Sequence, residues 1–175
     1  ESFKPEFRKI LEDRKKSKLL KSAAAIASGL VKDKDSAPIL MDMLKKQPDE
    51  PTIMPYLILA LVMVGDEKAV EIIQPLWEKV DKNVISAAYT NMAVALSLLG
   101  KKQDVLAQMV KHTESKDNVL RQHAFHTLGL LGERDSGKVF LNAFESETAD
   151  NAKAYIVSGL GLLMEKTPVP MLTEW

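Results

Sequence analysis

The chain of 175 residues contains no cysteine, which excludes a disulfide framework, a thiol nucleophile and a zinc site built on thiolates. A surplus of charge is missing too. With 24 basic residues against 24 acidic ones, a general polyanion binder, whose phosphate contacts draw on a basic excess, is not expected. Long hydrophobic runs are also absent. The longest charge-free stretches are residues 51–65, 15 residues, and 83–100, 18 residues that include Asn83, Ser86, Thr90, Asn91 and Ser97. The first is too short and the second too polar to cross a bilayer, so both read as buried helices of a soluble chain. The amino end, Glu1-Ser2-Phe3-Lys4-Pro5, has no apolar signal core and no initiator Met. It reads as a processed end or as a piece of a longer chain, and the compartment stays open.

What is present is a repeat. Gly65, Gly100 and Gly132 each close an apolar run, and Lys32 and Met164 close two weaker copies, at spacings of 33, 35, 32 and 32 residues. One residue before this anchor stand Val31, Val64, Leu99, Leu131 and Leu163, and two before it Leu30, Met63, Leu98, Leu130 and Leu162. Five before come Ala27, Ala60, Ala95, Thr127 and Gly159, and three before Gly29, Val62, Ser97, Gly129 and Gly161. Small residues there let a neighbouring helix approach closely. Positions one, five, eight and twelve before the anchor lie on one helical face. The anchor glycines suit left-handed helix ends.

A second helix follows each anchor, with Asp35, Asp66 and Thr167 as N-cap candidates and Pro168 just inside a helix start. Pro75 is the misfit, expected to kink or restart its helix. The predicted fold is therefore all-α: a solenoid of about five helix-turn-helix units, 16–47, 51–80, 82–113, 117–146 and 149–175, forming one domain after a helix near Pro5 to Asp13. That first helix falls in a basic segment, since residues 1–21 hold eight basic and four acidic residues. It reads as a solvated cap on the array.

The run Val119-Leu120-Arg121-Gln122-His123-Ala124-Phe125-His126-Thr127-Leu128-Gly129-Leu130-Leu131-Gly132-Glu133 resembles the short HEAT-like repeat found in phycobilin lyase subunits. Lys21, Arg121 and Lys153 match that repeat's basic position, whereas Met54 and Tyr89 depart from it, and Asp117 resembles its opening acidic residue. The resemblance implies an armadillo-like array over nearly the whole chain. Its members include scaffolds, inhibitors, transport adaptors and a few enzymes, so it implies architecture more than activity.

The sequence carries no phosphate loop, no catalytic motif and no cofactor signature. Carboxylate pairs such as Asp33/Asp35 and Glu145/Glu147 read as caps and solvated turns. His123 and His126 stand three apart on one helix, but a metal site would need a third ligand, so these two and His112 read as partly buried structural histidines. The expected function is a non-catalytic scaffold that binds a protein or peptide on the concave face, lined by second helices. Met41, Glu71, Gln74, Leu106, Met109, Lys138 and Leu141 are its candidate contacts, adaptable apolar side chains rimmed by charge. Val169, Met171, Leu172 and Trp175 form a second candidate surface at the carboxyl end, where further repeats or self-association would cover them. The resemblance supplies the rival reading, a bilin-handling lyase subunit. A nucleic-acid binder is the lesser alternative, disfavoured by the net −4 of residues 22–175.

Overall fold

The computed structural model describes residues 3–47, 50, 52–79 and 87–164, and these hold helices and turns with no strand. The chain packs as two compact units, residues 1–79 and residues 80–174. No helix among the described residues is long and apolar enough to cross a membrane.

The amino-terminal unit opens with α1 (Lys4–Glu12), which places Pro5 in its first turn. Its Leu11 is 1% exposed, and its Arg8 reaches the carboxylates of Asp33 (3.3 Å) and Asp35 (2.9 Å). Asp33 is buried and clamps α1 to the first repeat, whereas Asp35 meets Arg8 from a solvated turn, its side chain 74% exposed. Two helix pairs follow: α2 (Lys18–Leu30) with α3 (Ala37–Lys46), then α4 (Met54–Val64) with α5 (Val70–Glu78). Ser17 caps α2 by accepting from the Leu20 amide. Asp66 caps the short 3-10 turn before α5, whereas Asp35 makes no cap bond and serves Arg8. Leu40, Leu44, Leu57, Ile58, Leu61 and Ile73 form the core, none more than 2% exposed, each contributing roughly 1.5–3 kcal/mol by burial.

Pro75 does not restart its helix, because α5 runs unbroken from Val70 to Glu78. The proline lies exposed, as does Glu71, whose carbonyl loses the bond that Pro75 cannot donate.

The carboxyl-terminal unit holds α6 (Ala87–Leu96), α7 (Lys102–Thr113), α8 (Asn118–Leu131), α9 (Gly137–Ser146) and α10 (Asp150–Met164). Asp117 caps α8 by accepting from the amides of Val119 (2.8 Å) and Leu120 (3.1 Å). Phe125 and Phe140 are buried between α8 and α9 with ring centroids 5.3 Å apart.

The anchor column is a backbone column. Gly65, Gly100 and Gly132 have φ of 73°, 93° and 64°, and Lys32 in the same place has φ 48°. The small-residue columns act as expected at three positions. A Cβ on Gly29 would lie 3.1 Å from the Ala60 Cα, one on Gly129 2.4 Å from the Gly159 carbonyl oxygen, and one on Gly159 2.6 Å from the Phe125 carbonyl oxygen. Gly161 differs, with nothing within 4 Å of the same construction. Thr167 and Pro168 lie outside the described residues.

Candidate functional site

The seven candidate contacts on second helices divide between the two units. In the first, Glu71 is exposed, while Met41 and Gln74 are half-buried, with the Gln74 amide donating to Glu78 at 2.8 Å. In the second, Lys138 is exposed and Leu141 is 55% exposed on α9, but Leu106 and Met109 are buried at 8% and 0%. These two are core side chains of α7 and form no groove surface.

The reason is a register slip. Three repeats insert a 3-10 turn between anchor and second helix, at Lys34–Ser36, Glu67–Ala69 and Arg134–Ser136, whereas α7 begins at Lys102, two residues after Gly100, with no such turn between. Met109 of α7 is therefore buried one residue later after its anchor than the matching side chains of the other repeats. Met109 stands where Leu40, Ile73 and Phe140 stand, all of them 0% exposed. The apolar positions Val105, Leu106, Met109 and Val110 carry that phase at helical spacing, a signal that column alignment alone passes over. Val169, Met171, Leu172 and Trp175 lie outside the described residues.

The histidines enter a polar cluster within the carboxyl-terminal unit. The Tyr89 hydroxyl and His112 Nδ1 are 2.7 Å apart, and the Thr90 hydroxyl and His123 Nδ1 are 3.0 Å apart. The Thr127 hydroxyl donates to Thr90 at 3.4 Å. Tyr89 also meets His123 edge to face with centroids 6.5 Å apart. Burial pushes the Tyr89 phenol above its ordinary range, opposed by a bond with Gln108. It pushes His112 and His123 down, helped by Lys111 beside the former and His126 beside the latter. His126 is exposed and stands apart. No group of three metal-ligating side chains occurs among the described residues. The cluster joins α6, α7 and α8 by hydrogen bonds.

A cleft in the same unit lies between α8 and α10. These helices meet at Gly129 and Gly159, and toward their amino ends a groove of about 920 Å³ opens, lined by Gln122, Asn151, Tyr155 and Ser158 among others. Arg121 lies in it and pairs with Glu147 at 3.1 Å while donating to the Asn118 side chain at 2.8 Å. Glu147 accepts the backbone amides of Ala149 and Thr148, which with Arg121 hold its carboxyl below the usual carboxylate range. Arg121 thus occupies the basic repeat position and serves as a groove residue. Nothing in a single repeat marks its partners, because the groove exists only where two repeats stack.

Paired helices, a left-handed anchor and a close-packed first-helix layer define the HEAT-like helical repeat, and that is the fold of this chain. Among solved structures it is similar to a chain in the complex of CpcE and CpcF of phycocyanin lyase from Nostoc sp. PCC7120. The TM-score is 0.50 and the identity 21%, over 92% of this chain and 68% of that one. No family model and no curated protein matches the sequence.

Proposed function

We propose that this chain is a lyase-type HEAT-like subunit, one that holds an open-chain tetrapyrrole together with a protein partner. The observation that carries this reading is the correspondence of fold, over 92% of the chain, with a subunit of the phycocyanin lyase complex. Within it, the chain supplies binding and orientation rather than a covalent anchor, because it has no thiol of its own. The test is a titration of the purified protein with biliverdin, followed by visible absorption and circular dichroism. A saturable band with induced dichroism at one equivalent is the expected result. An unchanged spectrum from low to high protein concentration rejects the tetrapyrrole.

A second reading is the scaffold without chromophore. It is favoured by exposed apolar side chains on α9, Leu141 at 55% and Phe144 at 41% beside the solvated Lys138. Such a rim suits a protein ligand. A partner whose binding is lost with Leu141→Glu, in a colourless protein, supports it.

A further inference from the structure

We propose that the outward face of α2 and α4 is a docking surface for an anionic lipid bilayer, on which the chain rests without spanning it. This inference is independent of the tetrapyrrole reading. It rests on where the apolar and the basic side chains of the amino-terminal unit stand.

The first observation is that α2 is turned inside out. Its buried side is made of small residues, Ser22, Ala24, Ala25, Ser28 and Gly29, and α4 lies so close that a Cβ on Gly29 would come within 3.1 Å of the Ala60 Cα. Its large aliphatic side chains point the other way. Leu19 is 81% and Leu30 48% exposed, with exposed Ala23 and half-buried Ile26 between them at the spacing of one helical stripe. A surface helix ordinarily has the reverse arrangement, with its polar side toward water.

The neighbouring helix widens this stripe into a face. Residues 52–65 carry no charge, and on α4 Tyr56 is 45% and Leu59 48% exposed. These two stand nine and six residues before the anchor, the positions of Ala23 and Ile26 on α2. The two stripes therefore run side by side, about 8–10 Å apart, over the 13 residues of α2, about 20 Å at 1.5 Å per residue. In the fourth repeat the same positions hold His123 and His126, so stacking does not itself require apolar side chains there. An apolar surface of this extent marks an interaction site.

Charge selects the occupant. From Arg14 to Lys34 the sequence has seven basic residues and one acidic residue, and that one, Asp33, is buried and paired with Arg8. Six of the seven stand at the two ends of the stripe. Arg14, Lys15, Lys16 and Lys18 lie exposed before Leu19, and Lys32 and Lys34 lie exposed after Val31. Lys16 and Lys18 pair with Asp13 and Glu50, whereas the side chains of the other four meet no carboxylate among the described residues. An apolar centre bounded at both ends by cations matches a bilayer, whose hydrocarbon lies beneath a continuous layer of anionic headgroups. A protein partner would need acidic residues at both ends of its own apolar patch, and about one hydrogen bond for every 100–200 Å² covered. Of Leu19, Ala23, Ile26, Leu30, Tyr56 and Leu59, Tyr56 alone has a polar side-chain atom to offer.

The experiment floats the whole protein with vesicles of phosphatidylcholine alone, and with vesicles of phosphatidylcholine and phosphatidylglycerol in equal parts. Because the chain has no cysteine, Leu59→Cys on α4 and Glu71→Cys on α5 each take a single polarity-sensitive fluorophore. Binding to the anionic vesicles is expected, about tenfold or more tighter than to the neutral ones and weakened by salt. The label on α4 should shift to the blue on binding and the label on α5 should not. Lys15→Glu/Lys32→Glu and Leu19→Gln/Leu59→Gln should each lose about tenfold or more in affinity. All four side chains are exposed, so the helical circular dichroism stays that of the parent. The proposal is overturned if the protein ignores anionic vesicles, if both double variants bind them as the parent does, or if the α5 label shifts in place of the α4 label. A blue shift of the α4 label without vesicles, growing with protein concentration, assigns the face to a second copy of the chain. Binding of an acidic amphipathic peptide in place of vesicles assigns it to a protein, and either result overturns the lipid surface.

Discussion

Single side chains in this protein divide sharply by burial. Leu141 and Met109 both stand nine residues past their anchor glycine, yet one is 55% and the other 0% exposed. Met109→Glu should therefore lower stability by about 3 kcal/mol or more, since an unpaired charge enters the core, while Leu141→Glu stays within about 0.5 kcal/mol. Urea unfolding of the two variants decides it. The histidines give a pH signature. His112 and His123 have native pKa values below the ordinary 6.5, so the unfolded chain takes up protons first as pH falls. Their contribution is fully present above about pH 6.5 and is lost as pH drops through the lowered native values. The midpoint of thermal unfolding should fall over that range, and less steeply in His112→Gln.

Between residues and the whole stand the helices and their junctions. Gly129→Ala brings a Cβ to 2.4 Å from a backbone carbonyl that cannot swing away, so a loss of about 1–3 kcal/mol is expected. Gly161→Ala meets nothing within 4 Å and should gain up to about 1 kcal/mol from helix propensity. Chemical denaturation of the pair separates close packing from propensity. Ala95, 3% exposed on α6, is a comparable position, and Ala95→Leu should cost about 1–3 kcal/mol where Glu71→Gln is silent.

Much at this level was legible in the sequence. Anchor glycines, apolar stripes and small-residue columns each follow from a local rule, so the helices and their stacking emerged with them. Pro75 and α7 did not. Solvent on one side of α5 and one missing turn after Gly100 decide those cases, and neither is a property of the residue at the position.

For the molecule as a whole, the repeat was readable and the groove was not. Asn118, Gln122, Asn151 and Ser158 belong to two different repeats and come together where those repeats stack, with Gly129 against Gly159. Arg121 was visible as a repeat-pattern residue, but its pairing with Glu147 depends on the loop between α9 and α10. Likewise, Tyr89 departs from the basic pattern because, in the third repeat, that position holds the hydroxyl bonded to His112.

Lys32 carries a consequence for how such an array tolerates change. It holds φ 48° where the next three repeats have glycine, so an ordinary residue takes a backbone that costs about 1–2 kcal/mol. The turn is thus dictated by its neighbours, and glycine merely relieves it. Lys32→Gly should leave the structure unchanged and recover part of that cost, making the first repeat a reserve of stability that this sequence has left unused.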